Sequence, residues 1–334
     1  MPWNPQDAYD AGLRGAYSDP EAHERLTALI QSQGQSPEAD DTVRNYGLSG
    51  SGEGKLSPLF SIVEKIFPGS LPASAQGVGS CVAHSTRNAC LGTLAAEIAA
   101  GMPDEVTGRI EGLPEVSDEG RRDGVLSTEA IYWWRGHSGA DGWTCDHSVE
   151  VVCSQSGLWV RKNYPEIGID LTKYSARTEV KWGRPLPPDT VGKIGKEHLM
   201  RTATRVKSFE DLRDLIANGY AVTSCGGESF SAQRDSNGVS NRTRGGWAHA
   251  MAYLGVDDRD EIKRAYGEPL VLVQNSWGSR WGSGGRRVLG TSFDIPLCSF
   301  WAKWSDIRSR YAVALSGVNG WPPQKLDSWM GGIL

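Results

Sequence analysis

Apolar positions along the chain change period about half-way. In the first half they recur at helical spacing. Asp19-Pro20-Glu21 supplies an N-cap and a proline at the first helical position, after which Ala22, Leu26, Leu29 and Ile30 share one face to about Gln33. Ser80 is placed to cap a longer helix in which Leu91, Leu94, Ala95 and Ile98 repeat until Gly101, so Cys81 falls in its first turn. Ser127 opens a helix over TEAIYWWRG, and Asp146 opens another over HSVEVVCSQS that Gly157 ends. Ser208 and Asp211 form a capping arrangement for FEDLRDLIAN before Gly219. Beyond that point the pattern is one of short apolar runs bounded by Gly, Asp or Pro, at 220–224, 248–256, 270–276 and 310–315, which predicts strands. Helices first and strands later make an α+β chain of two lobes, and a groove between lobes is a natural place for a site.

Two polar, Gly/Ser-rich stretches, QSQGQSPEADD and GLSGSGEGKLSP, interrupt the pattern early. They divide the chain into an arm (1–56), a body (57–316) and a short tail (317–334). The formal net charge of -5 sits in the arm, where nine acidic side chains face four basic ones up to Lys55; the rest of the 334 residues are balanced. A balanced body argues against nucleic-acid binding. No run approaches the roughly 18 apolar residues that span a bilayer, and MPWNPQDAYDAG lacks the basic and apolar regions of a secretion signal. The expectation is a soluble protein of the cytoplasm or of a virus particle, with no membrane contact. Of 13 Trp, four (Trp301, Trp304, Trp321, Trp329) crowd the C-terminal end. Trp at a chain end indicates docking, either within the chain or into a larger assembly.

The six cysteines form no C-x-x-C pair and are scattered, unlike a small secreted disulfide framework, so they are expected to be reduced. Cys145, His147 and Cys153 do not make a zinc site, because helical positions two apart diverge and no fourth ligand is suitably spaced. No metal or organic cofactor is expected.

Cys81 lies in SAQGVGSCVAHS, where a helix N-terminus lowers a thiol pKa. A lone cysteine there is more often an inert core residue. Two later segments change this: GGWAHAMAYLGVDD brings His249 at a strand start, and VLVQNSWGSRWGSGG brings Asn275 at a strand end. A thiol nucleophile needs a base for its proton, and the imidazole needs a third group to fix its tautomer; an Asn amide does this without adding charge.

These segments resemble the papain/cathepsin family of cysteine peptidases. QGVGSCVAHS is similar to the family's active-site segment, AHAMAYLGV to its histidine strand and QNSWGSRWGSGG to its asparagine-serine-tryptophan-glycine segment. LSTEAIYWW, SGLWVRKNYP and LIANGYAVTS are weaker likenesses in the right order, over about 57–316. The resemblance implies a papain-like two-lobed fold, with a helical N-terminal lobe, a β-rich, barrel-like C-terminal lobe, and extensions at both ends. It implies Cys81 as nucleophile, His249 as acid and base, and Asn275 as its orienter. Trp277 would cover the Asn–His bond, Gln76 would donate a side-chain N–H to the oxyanion hole beside the Cys81 amide, and Trp281 would line the leaving-group side of the cleft. The partner implied is a protein or peptide substrate.

The chain departs from that pattern in places. Four residues, not five, separate Gln76 from Cys81, Val82 and Ala248 replace usual neighbours of the catalytic pair, and DGWT (141–144) stands where a substrate-backbone segment is expected. Val78 occupies the place of a family disulfide cysteine. The arm reads either as a short pro-segment or as a permanent docking element. Two other readings stay open: a papain-like assembly component, such as one of a virus particle, with a vestigial or single-use triad, and an acyl-transfer or cell-wall amidase enzyme with the same Cys-His logic.

Overall fold

The computed structural model describes residues 16–17, 19–72, 75–102, 116–139, 142–324 and 326. Trp329 and the first 15 residues of the arm lie outside them.

The helical lobe is built round α4 (Cys81–Ala99), preceded by α3 (Leu59–Ile66) and followed by α5 (Glu129–Tyr132), α6 (Cys145–Ser154) and α7 (Ala176–Glu179). α4 is buried on every side, with Ile98 alone among its residues only half-buried. That explains why the apolar face read from the sequence was narrow: the helix is wedged between α3, α6 and the sheet, and its polar residues are buried too. They are paired across elements, with Ser85 bonded to Thr223 and Thr86 to Ser148, each at 2.7 Å. Ser80 stands at the N-cap position but makes no side-chain cap bond.

The second lobe is a curled sheet in the order β8-β7-β6-β5-β9-β4, formed by β4 (Thr202–Val206), β5 (Val222–Arg234), β6 (Ser240–Asp257), β7 (Leu270–Gln274), β8 (Ser299–Lys303) and β9 (Tyr311–Ser316), with all these neighbours antiparallel. α8 (Phe209–Ala217) packs on it, capped by Ser208, whose side chain accepts from the Asp211 amide as the sequence suggested. The four expected strands are present, but β5 and β6 run on as a long ribbon. The sequence did not show this, because the outer part of the ribbon, SFSAQRDSNGVSNRTRGG, is polar and Gly-rich, and its pairing slips register at several points. β4 and β8 were also missed.

The arm is folded onto this body. The predicted helix is α1 (Pro20–Ser32), capped by the Asp19 side chain, and Ala22, Leu26 and Ile30 are buried, close to the face read from the sequence. It packs against α6, and the rest of the arm forms α2 (Ala39–Asn45), set against α8 and β4, and β2 (Leu56–Ser57), paired antiparallel with β6. At its head, β1 (Ala16–Tyr17) pairs parallel with β3 (Trp143–Thr144), immediately before α6. The second stretch read as a linker is held in place: the Gly50 and Gly52 amides donate to the buried Asp214 carboxylate at 2.7 and 3.1 Å. Such anchoring depends on partners some 160 residues away, which composition cannot reveal. Trp301 and Trp321 are buried within the chain, the latter edge-on to Tyr220 at 4.9 Å.

One expectation fails outright. Cys145 and Cys225 form a disulfide, so the six cysteines are not all reduced. The pair joins the start of α6 in one lobe to β5 in the other, across 80 residues, a juxtaposition created by the fold and not by spacing. Cys81, Cys90, Cys153 and Cys298 are buried and stand outside that disulfide as thiols. Among the described residues no helix is long and apolar enough to cross a membrane, and no group of three or more His, Cys, Asp or Glu side chains is placed to hold a metal ion.

Candidate active site

Cys81 is the first residue of α4, where the opening amides of a helix have no partner within the helix and carry its positive end. His249 lies on β6, opposite Gly226 of β5. Asn275 follows directly on β7. Three elements from two lobes carry the three residues: His249 and Asn275 are hydrogen-bonded, and Cys81 meets the backbone next to His249 without a hydrogen bond from its thiol to the imidazole.

The His–Asn geometry sets the state of the imidazole. His249 Nε2 lies 2.8 Å from Asn275 Oδ1, and the same Oδ1 accepts the Ser276 amide at 2.7 Å. An atom that accepts a backbone N–H is the amide oxygen, so Nε2 must be the protonated ring nitrogen. Nδ1 then carries the lone pair. It is buried and has no hydrogen-bond partner among the described residues. The Cys81 thiol contacts the backbone of Ala250, the residue after His249.

Trp277 stacks on the imidazole with ring centres 4.5 Å apart and planes at 27°. It is itself packed against Trp247 at 4.6 Å and Trp281 at 5.9 Å. Trp281 is buried behind it, against Phe300. The Trp277-Gly278 turn requires its glycine: φ is +78°, and a Cβ at 278 would lie 2.9 Å from that of Ala75.

Gln76 is held between two partners. Its side-chain oxygen accepts from the Ser276 hydroxyl, and its Nε2 donates to the Val78 carbonyl of its own loop at 2.9 Å. Its backbone amide donates to the Ser276 carbonyl. In this arrangement the amide side chain is engaged with the loop that carries it.

Sequence reasoning missed Arg310. Its guanidinium is buried, donates to the His249 carbonyl at 2.6 Å and to Ser224 Oγ at 3.3 Å, and pairs with Glu228 at 3.3 Å. Only the antiparallel pairing of β9 with β5 brings residue 310 beneath the histidine; no local motif marks it.

Electrostatics place the pair in its neutral form. Burial pushes the Cys81 thiol up to about 12, outweighing the neighbouring amides and the Arg310 charge, which pull it down. Burial also brings His249 down to about 3, with Arg310 adding to the fall and the Asn275 bond opposing it. Thiol and neutral imidazole, not thiolate and imidazolium, is the state of this closed site.

A cavity of about 540 Å³ lies on the Ala248 side of the histidine, between both lobes and the arm; Cys81, His249 and Asn275 are not among its lining residues. Ala248, Trp247, Asp146 and the Cys145–Cys225 bridge line it from the body, and Asp19 and His23 close it from the arm. His23 Nδ1 lies 3.1 Å from Asp146 Oδ1, and Arg25 donates to Glu150, one turn further along α6, at 3.1 and 3.3 Å.

Against solved structures, the chain is similar to procathepsin B S9 of Trypanosoma congolense, with 94% of this chain and 89% of that one covered, 12% identity and a TM-score of 0.50. The fold is papain-like. Also similar is xylellain, a cysteine protease from Xylella fastidiosa, at 17% identity over 77% of this chain and 89% of that one, with a TM-score of 0.46. No protein-family model and no curated protein matches the chain. At these identities the likeness is one of papain-like fold, and the chemistry rests on the side chains described above.

Proposed function

We propose that the chain is a latent cysteine peptidase that hydrolyses peptide bonds through Cys81, His249 and Asn275. The observation that carries this reading is the Asn275 bond to His249 Nε2, which leaves Nδ1 as a buried, unpartnered proton acceptor beside the helix that bears Cys81.

In the reaction, the Cys81 thiol passes its proton to His249 Nδ1 and the sulfur attacks the substrate carbonyl carbon, moving the C=O π pair onto oxygen. The Cys81 amide, which as the first of α4 has no acceptor within the helix, and Gln76 Nε2 are the candidate donors to that oxyanion; Gln76 must exchange its Val78 bond for this role. Collapse breaks the C–N bond, the leaving amine takes the proton from His249, and a thioester remains. Water then adds with His249 as base, and the acid leaves as the thiol is restored. Trp277 shields the Asn–His bond from water.

Latency follows from the arm. With β1 paired to β3 and α1 over the cavity, the site is closed and its pair neutral. Displacing the arm admits water, which lowers the thiol pKa and raises that of the imidazole. In this reading the arm is a covering element, not a docking surface for a larger assembly.

The test is alkylation of the purified chain with iodoacetamide near neutral pH, beside peptide hydrolysis, with Leu26→Asp used to lift the arm. Cys81 should then label ahead of Cys90, Cys153 and Cys298, and Cys81→Ala should abolish both labelling and hydrolysis. Equal, slow labelling of all four reduced cysteines would sink the reading and leave a papain-like scaffold without catalysis.

A further inference from the structure

The segment of residues 76–80 between Gln76 and α4 is short, and its amides flank the place where the oxyanion must form. It is tied down at three points. The Gln76 amide donates to the Ser276 carbonyl, the Gly142 amide donates to the Gly79 carbonyl, and the Gly77 amide donates to Tyr174 Oη at 2.7 Å. The first two ties are backbone to backbone. The third is a side chain, from 97 residues away, and it is the one that the sequence does not explain.

A hydroxyl that accepts one bond must still place its own proton. Tyr174 Oη lies 2.6 Å from Glu179 Oε2. Glu179 is fully buried on α7, and its other oxygen lies 3.6 Å from Nε2 of His84, which is one turn beyond Cys81 on α4. The set Gly77, Tyr174, Glu179, His84 therefore reaches from the loop on one side of the oxyanion position to the nucleophile's helix on the other. Contact is tight: a Cβ at Gly77 would meet Ala176 Cβ at 2.7 Å and Tyr174 Oη at 3.3 Å.

The surrounding charges do not claim Glu179 as an ion-pair partner. Arg161 is taken up by Glu129, in two bonds of 3.2 and 3.1 Å, and Arg87 donates to the Asp123 and Gly124 carbonyls. Burial first, and then the Glu129 charge, push Glu179 up to about 8, so near neutral pH it holds a proton and accepts from Tyr174 as a neutral acid. A buried carboxyl with one oxygen left without a hydrogen-bond partner is costly where an apolar residue would fill the space, which argues for a role beyond packing.

We propose that Tyr174 and Glu179 are positioning residues: they fix the Gly77–Cys81 segment so that its amide donors meet the oxyanion of the peptidase reaction. This rests on the peptidase reading above. The two are separable, because alkylation of Cys81 forms no oxyanion whereas acyl transfer does.

The experiment uses the full chain, with and without Leu26→Asp, and compares Tyr174→Phe, Glu179→Leu and Glu179→Gln with the parent. Expected for Tyr174→Phe is Cys81 alkylation within about twofold of the parent, unchanged KM, and kcat lower by about 10- to 100-fold, short of the 10²- to 10³-fold typical of deleting a donor outright. Glu179→Leu should behave like Tyr174→Phe, and Glu179→Gln, which keeps an acceptor for the Tyr174 proton, should restore most of kcat at pH 7. Native kcat in Tyr174→Phe would overturn the proposal, as would a loss of kcat matched by equal loss of alkylation, since that reports general disorder. A parent chain that alkylates Cys81 no faster than the other thiols and cuts no peptide overturns the peptidase reading, and this assignment with it.

Discussion

His23 of the arm and Tyr311 of the barrel meet on one oxygen of Asp146: His23 Nδ1 lies 3.1 Å away and the Tyr311 hydroxyl donates to the same Oδ1. One carboxylate thus joins the arm, the helical lobe and the sheet at the rim of the cavity beside His249.

The arm is held mainly by apolar burial, and the rim pairs are secondary. His23 is 40% exposed and Arg25 is 45% exposed, so each pair contributes at most about 1 kcal/mol. Burying Leu26 and Ile30 contributes roughly 1.5 to 3 kcal/mol apiece. Accordingly His23→Ala and Arg25→Ala should each speed iodoacetamide labelling of Cys81 only a few-fold, whereas Leu26→Ala should speed it far more. Leu26→Ala labelling at the parent rate would show that the arm is not the cover.

Acid should destabilise the fold through its buried imidazoles. Trp143 Nε1 donates to His147 Nδ1 at 2.9 Å, a bond that an imidazolium cannot accept, and burial brings His147 down to about 4. Its folded pKa lies below the unfolded value near 6.5, so the unfolded chain binds the extra proton between those limits and stability falls as pH drops through them. His249, down to about 3, extends the window lower. The unfolding free energy should decline from about pH 6.5 to pH 4, with a limiting slope near 1.4 kcal/mol per pH unit for each histidine, and the melting temperature should fall with it. In His147→Gln the decline should be shallower; an unaltered slope would assign the acid sensitivity elsewhere.

The Cys145–Cys225 bridge ties the two lobes together beside the cavity. A cross-link closing a loop of this length typically stabilises by about 2 to 4 kcal/mol. Reduction with dithiothreitol should lower the melting temperature by several degrees, and a Cys145→Ser/Cys225→Ser double variant should start lower and ignore the reductant. Free-thiol counting on the unfolded chain gives a direct check, with four expected without reductant and six with it.

What the sequence revealed, and what it hid, divides along physical lines. The N-terminal position of Cys81 on α4, the Ser208 cap and the Asp19-Pro20 start of α1 are local signals, set by a few adjacent residues, and the structure keeps them. So is the asparagine-serine-tryptophan-glycine turn, whose glycine answers to a positive φ. Arg310 under His249, Tyr174 on Gly77 and the Cys145–Cys225 bridge are products of strand and helix packing between residues 61 to 97 apart. Nothing in their neighbourhoods announces them. The β5–β6 ribbon failed for another reason: the residues that its outer part buries, Glu228, Ser229, Arg234 and Ser240 beside Phe230 and Val239, are mostly polar, so burial there leaves no apolar alternation to read.

Asn275 offers the sharpest test of the triad, because its oxygen dictates the tautomer of His249. Removing it in Asn275→Ala frees Nε2 to lose its proton and Nδ1 to gain one, and a protonated Nδ1 cannot take the proton of Cys81. The Ser276 amide also loses its partner, so some loss of stability accompanies the change. In the arm-lifted chain kcat should fall by up to about 10²-fold, the lower end of what a positioned acid–base group contributes. Asn275→Asp should behave differently. A carboxylate in the same place still accepts from Nε2 and favours the imidazolium, so the histidine pKa rises and the acid limb of the kcat/KM profile moves to higher pH. Equal activity of all three proteins across pH 5 to 8 would remove Asn275, and with it the tautomer argument, from the mechanism.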